Sequence, residues 1–134
     1  MANISGKWKL EKSENMEAYL KAKGMGSMKT KMMMTASPSL DIDQLSDTEY
    51  KIKMYTTMKT AIDDHFTIGV TFEGKRDGKT VKITCTRDEN KLIAEEVGED
   101  GEKDLIIREV MPDGSLVVRV EYKGAKATRY FKKK

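Results

Sequence analysis

The chain has 134 residues and a mass of 15.2 kDa, a size that predicts one domain over residues 1–134 with a core of its own. Charged residues make up 35%, yet 25 basic against 22 acidic side chains leave a net charge of only +3, which gives no argument for a nucleic-acid partner. The one cysteine, Cys85, excludes an internal disulfide and a cysteine-rich zinc cluster. No apolar run approaches the roughly 18 residues of a membrane span, no N-terminal apolar core suggests a secretory signal, and Ala2 stands where myristoylation requires glycine. A cytoplasmic, reducing setting is expected.

In chain order, Gly6 to Glu11 reads as a short strand with Trp8 and Leu10 on one face. Ser13 is then a candidate N-cap for a helix bearing Met16, Tyr19 and Leu20 at helical spacing, stopped by Gly24. Ser27 is a candidate cap for a second helix to about Ala36, amphipathic through Met28, Met32, Met33 and Met34 with Lys29 and Lys31, and ended by Pro38. From Ser39 onward only strands are expected. Tyr50, Ile52, Met54 and Thr56 alternate with polar residues, Ile62 to Phe66 and Val70 to Phe72 follow, and Asp77-Gly78 is a hairpin signal leading into Val81, Ile83 and Cys85. Further strands are Leu92 to Val97, Leu105 to Met111, Leu116 to Tyr122 and the closing stretch from Ala125, with Pro112-Asp113-Gly114 as the plainest turn. Short strands at regular spacing predict an all-β antiparallel meander that closes on itself to remove its edges.

Several side chains break the apolar pattern. Arg129 shares a strand face with Ala125, Ala127 and Phe131, where an unpaired charge is costly unless an anion meets it. Arg108 shares a face with Ile106 and Val110, while Glu109 shares the other with Leu105 and Ile107. Periodicity leaves open which face is inside. Two guanidiniums converging on a carboxylate is one reading, and a surface cross-strand pair is the other. Asp63-Asp64-His65 holds the only histidine, but adjacent strand residues point apart, so neither a metal site nor a catalytic cluster is expected there. Cys85, on an apolar face, reads as a buried thiol. No pair of groups suits acid-base or nucleophilic chemistry, so no enzyme is expected.

The segments Gly6-Lys7-Trp8-Lys9-Leu10, Ser13 to Leu20, Gly24-Met25-Gly26, Ile68-Gly69-Val70-Thr71-Phe72, Asn90-Lys91-Leu92, Ile107-Arg108-Glu109 and Thr128-Arg129-Tyr130-Phe131-Lys132 stand in an order and spacing that resembles the cytosolic fatty-acid-binding proteins. The resemblance runs the full length. It implies a ten-stranded antiparallel up-and-down barrel, a helix-turn-helix lid, an internal ligand cavity, no cofactor and no catalysis. It also implies that a long-chain fatty acid is held by its carboxylate at Arg108 and Arg129. The position of the family's usual tyrosine is Phe131, which removes a hydroxyl donor. Met16, Met33, Pro38, Met54, Met58, Asp77, Val118 and Val120 fall on cavity or portal positions. A retinoic-acid or bile-acid carrier is the nearest competing reading, and a barrel with a filled core serving protein or nucleic-acid interaction is the competing class. A monomer is expected, with transient contact to anionic membranes through the basic helical lid.

Overall fold

A computed structural model describes residues 2–134. The chain runs β1 (Gly6–Glu14), α1 (Met16–Ala22), α2 (Ser27–Thr35), β2 (Ser39–Gln44), β3 (Glu49–Tyr55), β4 (Thr60–Thr67), β5 (Phe72–Arg76), β6 (Lys79–Asp88), β7 (Lys91–Val97), β8 (Lys103–Val110), β9 (Leu116–Tyr122) and β10 (Ala125–Lys133). All ten strands form one antiparallel sheet in the order β4-β3-β2-β1-β10-β9-β8-β7-β6-β5. The expected meander is therefore present, and it curls into a nearly closed barrel. Its two free edges, β4 and β5, meet through side chains rather than a ladder. Phe66 stacks on Phe72 at 5.3 Å, and Arg76 reaches across to Asp64 at 2.7 Å.

Alternation decides what lies inside. Trp8, Ile42, Ile52, Phe66, Ile83, Leu92, Ile106, Leu116 and Phe131 are buried on the inner face of successive strands, while their sequence neighbours carry the charges that meet water. Asp77-Gly78 turns with both residues at positive φ (54° and 78°), the geometry of the two-residue hairpin the sequence announces. Gly6 is dictated by close approach: a Cβ there would stand 2.6 Å from the Trp8 ring. The Trp8 indole in turn donates to the Gly114 carbonyl at 2.9 Å, tying β1 to the β8–β9 turn.

Four local expectations are corrected. Ser13 caps no helix, because β1 continues through Glu14 and Asn15, at φ 60°, is the residue that precedes α1. Ser27 is the first helical residue of α2 rather than its cap, which is Gly26. That helix is not amphipathic through its methionines: Met28 is 78% and Met32 67% exposed, Met34 is exposed too, and the buried side chain is Thr30. Val70 lies in an exposed turn, and the strand begins instead at Phe72. The short β2, with Asp41 and Asp43 facing out, carries too few apolar residues to be recognised by alternation alone.

Candidate ligand-binding site

Arg108 and Arg129 both lie on the inner face. Arg108 pairs across the sheet with Val118, and so does Arg129 from the opposite side, which sets the two arginines in one row with β9 between them. Strand spacing of roughly 4.8 Å then puts their backbones about 10 Å apart, within reach of one small anion through their long side chains. Arg108 is 5% and Arg129 9% exposed. Neither meets a carboxylate within ion-pair distance among the described residues. The Arg108 Nε has no hydrogen-bond partner, and Arg129 donates only to the Ser13 hydroxyl, at 3.3 Å. Burial pulls both guanidiniums below their ordinary value, although Glu96 opposes the shift at Arg108 and Tyr19 opposes it at Arg129. Phe131 is buried beside Arg129, its ring 5.9 Å beneath the guanidinium. The open choice between Arg108 and Glu109 is thereby resolved. Glu109 faces out, where it accepts from Arg119 at 2.9 Å.

Two further charged clusters lie on the inner face. Arg76 forks onto Glu96, with its Nε 3.1 Å from both oxygens and its Nη2 2.8 Å from Oε2, and the same Nη2 meets Asp64. Gly74 leaves room for this clasp, since a Cβ there would approach Ile83 at 2.6 Å and Arg76 at 3.3 Å. Asp104 accepts from the Tyr19 hydroxyl and from the Lys23 ammonium, both at 2.5 Å, which pins α1 to the start of β8. Glu96 and Asp104 stand directly opposite one another on β7 and β8. Two like charges so placed repel, and each is covered by its own cation.

Arg76, Glu96, Asp104, Tyr19 and Ser13 were not singled out from the sequence as interior polar groups. A signal existed for two of them. Glu96 shares its face with Leu92 and Ala94, and Asp104 shares its face with Ile106, the same misplacement that marks Arg129.

Of the other expected positions, Met16, Pro38, Val118 and Val120 are buried and Met33 and Met54 half-buried. Met58, 89% exposed, lies in the β3–β4 turn, and Asp77 lies in the β5–β6 turn, where it pairs with Lys29 of α2. The Lys29–Asp77 pair ties the β5–β6 turn to α2. Asp64 and His65 point apart as expected. Asp64 joins the inner clasp, while His65 meets Glu49 on the outside at 2.5 Å. Cys85 is buried, and burial pushes its thiol up to about 11.

Arg108 and Arg129 are thus buried guanidiniums on the inner wall of a curled ten-stranded sheet. A model of the lipocalin / cytosolic fatty-acid binding protein family matches residues 5–134. The chain belongs to this family. Sodium/calcium exchanger regulatory protein 1 of Doryteuthis pealeii is 36% identical over 133 residues, covering 98% of this chain and 97% of that protein. Cellular retinoic acid-binding protein 2 of Rattus norvegicus is 34% identical over 137 residues, covering 98% of each. Among solved structures, the REP1-NXSQ fatty acid transporter superposes with a TM-score of 0.88 at 36% identity, covering 98% of this chain and 96% of that one. A Schistosoma mansoni fatty acid binding protein in complex with arachidonic acid superposes with a TM-score of 0.89 at 26% identity, covering 100% and 98%. Cytosolic fatty-acid-binding proteins are non-enzymatic lipid carriers.

Proposed function

We propose that the protein is an intracellular carrier of a long-chain fatty acid, with the carboxylate held between Arg108 and Arg129. The observation that carries this reading is a pair of buried guanidiniums, flanking Val118, with no carboxylate at ion-pair distance among the described residues. A bound carboxylate supplies the missing charge through strong, forked hydrogen bonds. The tail contributes about 0.8 kcal/mol for each methylene taken from water. Phe131 offers no hydroxyl, so the head group depends on the arginines, with ordered water where they do not reach. Met16, Met33 and Met54, with their flexible thioethers, suit tails of varied shape. Met58 and Asp77 act at the rim as portal groups.

Oleate and methyl oleate test the assignment. Arg108→Ala and Arg129→Ala are expected to weaken oleate binding while affecting the ester less. Equal loss of acid and ester would remove the carboxylate from the site. The similarity to a retinoic acid-binding protein favours retinoic acid as a second ligand, and competition against a bound fluorescent fatty acid ranks the two. Exposed Met28 and Met32 beside Lys29 and Lys31 suit delivery by contact with an anionic bilayer. Transfer to anionic vesicles that slows with added salt would support that route, and salt-independent transfer would exclude it.

A further inference from the structure

Two buried side-chain atoms have no hydrogen-bond partner among the described residues, and they lie on one strand. They are the Nε of Arg108, a donor, and the Oδ1 of Asp104, an acceptor. Both residues occupy inner-face positions of β8, with Ile106 between them on the same face, and are 5% and 4% exposed. At about 3.3 Å per residue, roughly 13 Å of strand separates the two side chains.

The surroundings of Asp104 explain why Oδ1 is left over. Its other oxygen, Oδ2, accepts from both the Tyr19 hydroxyl and the Lys23 ammonium. On β7 it faces Glu96, an acceptor whose two oxygens are taken by Arg76. On β9 it faces Tyr122, whose ring lies 5.5 Å from the Lys23 ammonium and whose hydroxyl does not reach it. No donor of the flanking strands therefore serves Oδ1, and a buried acceptor without a donor is costly.

We infer that Asp104 is a second ligand-contacting residue: through Oδ1 it accepts from a hydroxyl near the middle of the acyl chain, so the preferred cargo is a mid-chain hydroxy fatty acid. This rests on the fatty-acid reading above and names a narrower substrate class within it. With the carboxylate at Arg108 and Arg129, the separation along β8 matches about ten bonds of an extended chain, each advancing roughly 1.3 Å. Such a ligand brings an acceptor to the arginines and a donor to Asp104. A ketone at the same carbon only accepts, so it meets the lone pairs of Oδ1 and gains nothing.

The test is competition against a bound fluorescent fatty acid, using stearate, its 7-, 12- and 17-hydroxy derivatives and 12-oxostearate. The 12-hydroxy acid is expected to bind about tenfold more tightly than the other two isomers, since all three desolvate one hydroxyl and only the mid-chain one meets the acceptor. The 12-oxo acid is expected to bind no better than stearate. Asp104→Leu combined with Tyr19→Phe removes the acceptor together with the hydroxyl that donates to it, and is expected to abolish the preference while stearate still binds. Equal affinities for the three isomers, or for the 12-hydroxy and 12-oxo acids, in the wild-type protein would overturn the inference even if the variant fails to fold. A variant that folds, binds stearate and keeps the full preference would overturn it as well. Failure of stearate and all its derivatives to compete would overturn the fatty-acid reading itself, an outcome distinct from loss of the preference alone.

Discussion

Arg108 and Arg129 face the same residue, Val118, from the two strands that flank β9. Their side chains therefore belong to one row across the barrel wall, although 20 residues of sequence and two turns separate them. An unpaired guanidinium in such a place costs the ligand-free protein free energy. In the proposed function, a head-group site built on these arginines is thus kept at the expense of stability.

That cost is measurable. Arg129→Leu is expected to raise the stability of the delipidated protein by about 1–3 kcal/mol in urea unfolding while largely removing fatty-acid affinity. A destabilised variant would mean that the contacts to Ser13 and Phe131 make Arg129 a structural residue.

The clasp at the sheet edges should respond in the opposite direction. Arg76→Ala leaves Asp64 and Glu96 buried without their cation, and a loss of about 3–5 kcal/mol is expected. Adding Asp64→Asn and Glu96→Gln to an Arg76→Met chain removes the stranded charges and should recover most of it. If the triple variant is no better than Arg76→Ala, the loss comes from packing across the gap between β4 and β5 rather than from charge.

Tyr19 gives the protein an alkaline limit. Burial first, and then the adjacent Asp104, raise its phenol well above the ordinary value of 10.0. The folded-state value is the higher one, so the stabilising contribution is complete below about pH 10 and declines as pH rises, because only the unfolded chain then releases the proton. The slope is about 1.4 kcal/mol per pH unit for this one group. Cys85 acts with the same sign between its ordinary 9.0 and about 11. Urea midpoints above pH 9 are therefore best compared between Cys85→Ala and the same chain with Tyr19→Phe. The phenylalanine chain should show the shallower alkaline decline, and identical slopes would refute the role given to Tyr19.

At the rim, Lys29 of α2 holds the Asp77 carboxyl below its usual range. The folded value is depressed, so this contribution is present above the ordinary value of 3.8 and disappears as pH falls through the lower folded one. The pair is half exposed, and its worth to global stability is well under ~1 kcal/mol. Asp77→Asn is instead expected to speed amide exchange in α2 and the release of bound fatty acid. Unchanged exchange in α2 would show that the pair does not restrain the lid.

Much of this was legible in the chain itself. Period-two alternation, Asp77-Gly78 and Pro112-Asp113-Gly114 foretell an antiparallel meander because side-chain direction and turn chemistry are local properties. Arg129 among Ala125, Ala127 and Phe131 is likewise visible as a charge on an apolar face. Alternation, however, distinguishes two faces without saying which is inside. Only the closure of the sheet turned Arg108 inward and Glu109 out, made Ser13 a partner of Arg129 instead of a helix cap, and left Met28, Met32 and Met58 in water. The clasp of Asp64, Arg76 and Glu96 is the clearest case. These residues come from three strands, and its charge balance exists only because the two edges of one long sheet are brought face to face.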